Sequence, residues 1–318
     1  MASGKPHLAL DIGGSSVKWA LVDRAGSDRL EVMAPVAIPK QEFTALVEVV
    51  KDILGKADSE DAPLGQIGIS TTGSVDPHGT VLRAGHFQGY ENISWDSLFK
   101  EWTGRAVQVH VVNDGLASTW GEYSLAAREA SWPFSHIHAV VGTGVGCGAV
   151  FQGQLVRGDS GFAGYLGHIK ITDEPTVRCS CGREGCVETL VATPAICAAW
   201  KAIGGDGEIE SLGEAAREGD GTALSVLETA GGWLGRGLAC AMNVLNPSLV
   251  TVGGGLSLLS AELKGDPLMR GVRRGVEDGA HRRVVGSAEV RLGKLGNDAG
   301  LIGAAALARD EDARHGTE

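Results

Sequence analysis

The sequence predicts an α/β fold made of two related halves. Three observations point there. Short apolar runs ending at polar or glycine-rich turns alternate with helical stretches. A strand, glycine turn, strand pattern occurs twice, at Asp11-Ile-Gly13-Gly14-Ser15-Ser16-Val-Lys18 and about 130 residues later around Gly142-Thr143-Gly144-Val-Gly146. Glycine makes up 48 of 318 residues, about twice ordinary usage, without the three-residue period of collagen. So many glycines imply backbone positions that are left-handed or closely approached.

Taken in order, His7 to Gly13 reads as a strand and Val17 to Val22 as its hairpin partner. Arg29 to Pro39 reads as a third strand. Phe43 to Leu54 is an amphipathic helix, apolar at Phe43, Leu46, Val47, Val50 and Leu54. Gln66 to Thr71 and Val107 to Val112 are short strands. The second half opens with Val140 to Phe151, again strand, turn, strand. A helix over Thr222 to Leu245 leads into the strand and turn Leu249-Val-Thr-Val-Gly253-Gly254-Gly255. Asp298 to Arg314 reads as a closing helix, with a frayed acidic tail after Arg309. The boundary falls near residues 115–135. The expected domains are 1–120 and 121–318, the last helix being able to pack back on the N-terminal domain.

With 43% hydrophobic and 21% charged residues the chain has the balance of a globular protein rather than a disordered one. Its net charge of −11 argues against nucleic acid or an anionic membrane as partner. Lys5-Pro6-His7 runs directly into a strand, so no secretory leader is expected. The longest stretch without Asp, Glu, Lys or Arg, Ala130 to Val156, is broken by glycines, a proline and two histidines, which suits buried strands better than a membrane span. A cytoplasmic location is therefore expected. There a tight cysteine cluster signals a metal site before a disulfide framework.

The chemistry-bearing segments each have a plain alternative. In the first glycine turn, bare N–H groups can cradle a phosphate and Asp11 can hold a metal ion or its water; the same residues also make an ordinary hairpin turn. The turn is neither a P-loop nor a dinucleotide fingerprint, since no helix follows it directly. Gly142-Thr143-Gly144 is its counterpart, and the pair together suggests a grip on a polyphosphate from both sides. Gly253-Gly254-Gly255 offers a flat surface for a base or ribose, or a simple strand-to-helix loop. Val112-Asn113-Asp114 sits at the carboxyl end of a strand, where catalytic groups of α/β sheets collect; Asp before a helix is equally a favoured N-cap. His168, Cys179, Cys181 and Cys186, one imidazole and three thiolates within 19 residues, match tetrahedral zinc. Four protein ligands make such a site structural rather than catalytic, and Glu188 just beyond it would be positioned by the metal. Cys147, Cys197 and Cys240 lie among apolar residues and read as core.

In this order the segments resemble the ROK family of bacterial sugar kinases and sugar-responsive repressors. The matching stretches are Leu10-Asp-Ile-Gly-Gly, Val112-Asn-Asp, Val141-Gly-Thr-Gly through Gly167-His168, Cys179-Ser-Cys-Gly-Arg-Glu-Gly-Cys-Val-Glu188, Val252-Gly-Gly-Gly and Asn297-Asp-Ala-Gly-Leu-Ile-Gly-Ala-Ala305. The resemblance is to the zinc-motif, glucokinase-like kinase branch. It implies two actin-like, hexokinase-type (ribonuclease H-like) α/β domains with an interdomain cleft. It implies ATP held by Gly13, Gly14, Ser15, Lys18, Gly142, Thr143, Gly144, Gly254 and Gly255, with Mg²⁺ near Asp11 and a structural Zn²⁺ on the His/Cys set. It makes Asp114 the general base on a sugar hydroxyl, usually the 6-hydroxyl. It implies sugar contacts from Gly73, Asn92, Asn113, His168 and Glu188, and a homodimer.

One position departs from the pattern. The family's kinases usually read Gly-Glu-x-Gly-His before the zinc cysteines, whereas Gly164-Tyr165-Leu166-Gly167-His168 stands here. A carboxylate at the sugar is replaced by a phenol. The expected function is ATP-dependent phosphorylation of a hexose or hexose derivative. The alternative is a non-catalytic sugar or sugar-phosphate sensor of the same fold. A DNA-binding repressor is disfavoured by the charge and by the roughly seven residues ahead of the first strand, too few for a helix-turn-helix.

Overall fold

The structure is a computed structural model that describes residues 5–22, 30–59, 62–85, 87–128, 130, 134–174 and 176–309. Arg29, residues 310–314 of the expected closing helix and the acidic tail lie outside the described residues. The chain divides into two compact units. One comprises Met1–Ala130, Gln154–Ala163 and Asp298–Glu318; the other comprises Ser131–Gly153 and Gly164–Asn297.

The first unit begins with β1 (His7–Ile12), β2 (Ser16–Val22), β3 (Leu30–Val32) and β4 (Val36–Ala37). It continues through α1 (Phe43–Ala57), β5 (Gln66–Thr71), β6 (Ser74–Val75), β7 (Thr80–Arg83) and β8 (Glu91–Ser94). Then follow α2 (Trp95–Thr103), β9 (Gln108–Asn113) and α3 (Asp114–Ala127). The main sheet runs β3-β2-β1-β5-β9, with β4 also on β2. β1 and β2 form the expected hairpin, while β1, β5 and β9 are parallel. The expected strand from Arg29 to Pro39 is two short strands instead. Met33–Pro35 lies outside both, and Pro35 has no N–H to give a ladder.

Alternation along β1 sets the layers. Leu8, Leu10 and Ile12 join a core with Leu46, Val50 and Ile53 of α1 and Trp95 and Phe99 of α2. Ala9 and Ala20 face the other way and pack on Leu301, Ala304 and Ala305 of the closing helix, which spans Ala299–Arg309. The small residues on that face let the helix sit close: a Cβ on Gly303 would overlap the Ala117 carbonyl of α3. β6, β7 and β8 form a separate antiparallel sheet. Just ahead of β8, Tyr90 accepts from Trp95 Nε1 at 2.7 Å and shares a hydrogen bond with Thr71 at 2.9 Å.

The second unit holds β10 (His136–Val141) and β11 (Val145–Phe151); the two-residue β12 (Gln154–Leu155) belongs to the first unit's 154–163 segment. Then come a 3₁₀ turn (Leu166–His168), α4 (Glu188–Val191), α5 (Thr193–Ala202), α6 (Ile209–Arg217) and α7 (Gly221–Leu245). β13 (Leu249–Gly253), α8 (Gly255–Ala261), α9 (Pro267–Gly279), α10 (Arg282–Val285) and β14 (Glu289–Leu292) complete it. The order β11-β10-β13-β14 repeats the first unit's β2-β1-β5-β9, one hairpin followed by two parallel neighbours. The chain returns to the first unit as α11 (Ala299–Arg309). Inside the second sheet, His136 Nε2 and His138 Nδ1 each lie 2.7 Å from Thr251 Oγ1. Burial keeps both rings neutral, pushing His136 down to about 3 and His138 down to about 4.

Two cysteines correct the sequence reading. Cys147 is buried, but Cys197 is only half-buried and Cys240 is exposed. Cys240 lies four residues from both Arg236 and Val244, all on the outer face of α7.

Candidate functional site

In the first unit, β1 carries Asp11 into register with Ser70 of β5, and Ser70 Oγ donates to Asp11 Oδ1 at 2.7 Å. The carboxylate lies over the first turn of α11, where a Cβ on Gly300 would come 2.8 Å from Oδ1. Burial pushes the pKa of Asp11 up, against the hydrogen bond from Ser70 and the charge of Lys18. Lys18 Nζ itself lies 3.3 Å from Asp298 Oδ1. A carboxylate whose charged form is held at a cost, next to a glycine turn, suits a hard divalent cation.

Gly13 N donates to Ser16 O at 3.0 Å to close that turn, and Ile38 N donates to Ser15 O at 2.8 Å. Neither Gly13 nor Gly14 has a positive φ. Glycine serves there as bare backbone: a Cβ on Gly14 would meet no atom within 4 Å.

The carboxyl end of β9 separates two roles that the sequence left merged. Asn113 is the N-cap of α3, its Oδ1 accepting from Gly115 N at 2.9 Å. Its Nδ2 donates to Gly73 O at 2.8 Å, and Gly73 turns at φ 95°. Asp114 is the first residue of α3, with Oδ1 accepting from Gly115 N at 2.8 Å. Its side chain is open to solvent, yet protein atoms crowd the carboxyl enough that desolvation pushes its pKa up to about 6. The Gly115 N–H opposes the rise and the charge of Asp11 adds to it. Asn92 stands exposed on β8 in the left-handed region, φ 55°, which Asn tolerates better than most residues. Among the described residues no hydrogen bond joins Asn92 to Asn113 or Asp114.

In the second unit, Gly142 N donates to Gly144 O at 3.0 Å, leaving Thr143 exposed at the tip. Thr193 fastens this turn to the start of α5 through its N and Oγ1, 2.8 and 3.0 Å from Gly142 O. Gly254 has φ 92°, and a Cβ on it would strike the carbonyl of Val141 at the end of β10. That position therefore admits only glycine, and it stacks the third glycine turn, with Gly255 opening α8, against the second. Glu188 Oε2 accepts from Val145 N at 3.2 Å, which ties the residue after the zinc motif to the same turn.

His168, Cys179, Cys181 and Cys186 present ligand atoms that all lie within 4.8 Å of one another. Cys179 Sγ is 3.3 Å from His168 Nδ1, and Cys181 Sγ is 3.6 Å from Cys186 Sγ. A tetrahedral zinc shell with bonds of about 2.0–2.3 Å has edges of about 3.3–3.8 Å; these two separations fall in that range, and one imidazole with three thiols is a donor set that suits the metal. Arg183, through its backbone N–H and its guanidinium, draws the Cys181 thiol toward thiolate. Tyr165 precedes the 3₁₀ turn that carries His168; the two rings lie 5.7 Å apart and Tyr165 is 43% exposed. Tyr165, His168, Ile169, Lys170, Ser180 and Arg183 line an open cavity of about 710 Å³.

Three contributors escaped the sequence reading: Ser70, Asp298 and Thr193. The signal for Ser70 was its position near the end of a strand that pairs with β1. Asp298 sat inside the quoted Asn-Asp-Ala-Gly segment without a role. Thr193 carried no signal.

These features define a class: duplicated α/β units, each with a glycine turn between hairpin strands, one with an accessible carboxylate and the other with a zinc-type cluster. Residues 7–311 match the family model of the ROK family, and the chain belongs to that family. It is 30% identical to a glucokinase of Halalkalibacterium halodurans, over 98% of this chain and 97% of that protein. It is also 30% identical to an N-acetylmannosamine kinase of Escherichia coli, over 79% of this chain and 83% of that one. Among solved structures it resembles a ROK family glucokinase from Streptomyces griseus in complex with glucose and AMPPNP, with TM-score 0.74, 30% identity and coverage of 96% and 99%. Among the described residues no helix is long and apolar enough to cross a membrane.

Proposed function

We propose that the chain is a sugar kinase that transfers the γ-phosphoryl group of ATP to a hexose or hexose derivative, on the 6-hydroxyl, with Asp114 as general base. The observation that carries this is the division of labour at the end of β9. Asn113 caps α3, so the Asp114 carboxylate stays accessible, with its pKa raised toward neutrality. Identity near 30% to glucokinases over nearly the whole chain supports the reaction class.

In the step proposed, Asp114 takes the proton of the attacking hydroxyl. The hydroxyl oxygen bonds to the γ-phosphorus, the bond from that phosphorus to the bridging oxygen breaks, and ADP leaves with the electron pair. Asn113 and Gly73 hold the turn beside the sugar; Asn92, Tyr165, His168 and Glu188 are assigned to sugar binding. Nucleotide binding is assigned to Gly13, Gly14, Ser15 and Lys18 of the first unit and to Gly142, Thr143, Gly144, Gly254 and Gly255 of the second. Asp11 would hold Mg²⁺, directly or through water; the ion supplies charge neutralisation on the phosphates when bound. His168, Cys179, Cys181 and Cys186 would hold a structural Zn²⁺, which fixes the segment bearing His168 and Glu188.

A coupled assay of ADP release against glucose, mannose, N-acetylmannosamine and other hexoses tests this reading. Turnover with at least one sugar is expected. Sugar binding without ADP release from any of them would favour a sensor, the reading to which Tyr165 in place of the usual Glu lends its weight.

A further inference from the structure

Arg157 has no place in the chemistry described so far. It follows β12 on the segment Gln154–Ala163 of the first unit and is half-buried. Three other half-buried cations reach carboxylates: Arg105 pairs with Asp58, Lys18 with Asp298 and Arg291 with Glu289. Among the described residues the guanidinium of Arg157 has neither ion pair nor hydrogen bond. Asp159, two residues on, is exposed and makes no pair with it. Burial lowers the pKa of Arg157 from arginine's ordinary value, but a guanidinium stays protonated at any physiological pH. A desolvated cation with no counter-charge is costly to keep and is relieved when an anion arrives.

The backbone of this segment is firmly held. Ala163 N donates to Arg157 O at 3.1 Å, and Gly161 N donates to Gly158 O at 3.3 Å. Gly161, at φ 78°, is packed so closely on β6 that a Cβ would overlap the Val75 carbonyl. Val75 is two residues beyond Gly73, whose carbonyl is bonded to Asn113, the neighbour of Asp114. Two contacts, Gly161 on Val75 and Gly73 on Asn113, thus tie the loop that bears Arg157 to the segment beside the proposed catalytic turn. Planar guanidinium groups match phosphate oxygens in shape and charge.

We infer that Arg157 is a further catalytic residue that donates to oxygens of the transferred phosphoryl group and of the phosphate ester it becomes. This rests on the kinase reading above. It assigns the Gln154–Ala163 loop, which carries none of the proposed sugar, nucleotide or zinc contacts, to the stabilisation of charge in transfer.

The test uses the full chain, with Arg157→Gln and Arg157→Lys, in the ADP-release assay on whichever sugar turns over. Arg157→Gln is expected to lower kcat about 10- to 150-fold, the loss of a hydrogen bond to a charged group. KM for the sugar should move less than about threefold. Product inhibition by the sugar phosphate should weaken along with kcat, a change that loop packing alone would not give. Arg157→Lys, keeping the charge without the fork, should fall between. If Arg157→Gln does not fold, the Lys variant decides: reduced kcat with weakened product inhibition supports the inference, and product inhibition at the wild-type level overturns it. An active wild type beside a Gln variant with kcat and product inhibition unchanged overturns this inference alone. A wild type that releases no ADP with any sugar overturns it together with the kinase reading.

Discussion

Asn113 donates from Nδ2 to the carbonyl of Gly73 while its Oδ1 caps α3. One amide therefore stiffens two segments, the strand-to-helix turn of Asp114 and the φ 95° turn at Gly73. Asn113→Ala removes both bonds. Loss of the cap costs about 0.5–2 kcal/mol of stability, measurable as a lower urea midpoint at unchanged slope. KM for the sugar should rise as the Gly73 turn loosens. Wild-type stability with wild-type KM would show that neither bond matters.

A base works only when ionised. With the Asp114 carboxyl pushed up to about 6, its charged fraction falls as pH drops through that value. The kcat/KM profile, which reports the free enzyme, should therefore lose activity below about pH 6. Bound Mg²⁺ and positive groups at the phosphates favour the charged form and should move the kcat limb to lower pH. A kcat/KM profile flat from pH 7 down to 4.5 would contradict the raised carboxyl.

The His168, Cys179, Cys181 and Cys186 set should bind one zinc per chain. Cys186→Ser should lower the zinc content measured by elemental analysis and reduce activity, because the metal closes the segment that carries His168 and leads to Glu188. Purified protein free of zinc but fully active would end this assignment.

Tyr165 should set sugar choice. A carboxylate accepts charge-assisted bonds from two neighbouring hydroxyls, whereas a phenol offers one hydroxyl and an apolar face. Glucose is expected to be a poor substrate beside a sugar altered at carbon one or two, or one carrying an apolar group there. Tyr165→Glu should raise kcat/KM for glucose about tenfold or more. If the unmodified enzyme already prefers glucose and the variant changes nothing, Tyr165 has no part in specificity.

Both hairpins with their glycine turns were legible in the sequence because short apolar runs flank the glycines, and the His/Cys cluster was legible because its members are local. Harder to read was whatever depends on pairing between distant strands. Ser70 meets Asp11 only through the parallel register of β1 and β5. The buried pair His136 and His138 converges on Thr251 across β10 and β13, more than a hundred residues away in sequence, and alternation alone cannot find it. The Asn113 cap illustrates a different limit. Asn and Asp are nearly equivalent as N-caps, so only the hydrogen bonds reveal which of two adjacent residues caps the helix. Cys240 was misjudged because its apolar neighbours in sequence lie on the other faces of α7.

The general-base role of Asp114 is tested most directly by kcat of Asp114→Asn, measured by ADP release with the best sugar of the panel. Asparagine keeps the size of the side chain and an oxygen for the Gly115 N–H, so fold and sugar binding should persist. A proton acceptor is lost, and kcat should fall about 10²- to 10⁴-fold with the sugar's dissociation constant little changed. A variant with nearly full kcat would return Asp114 to a purely structural place at the start of α3.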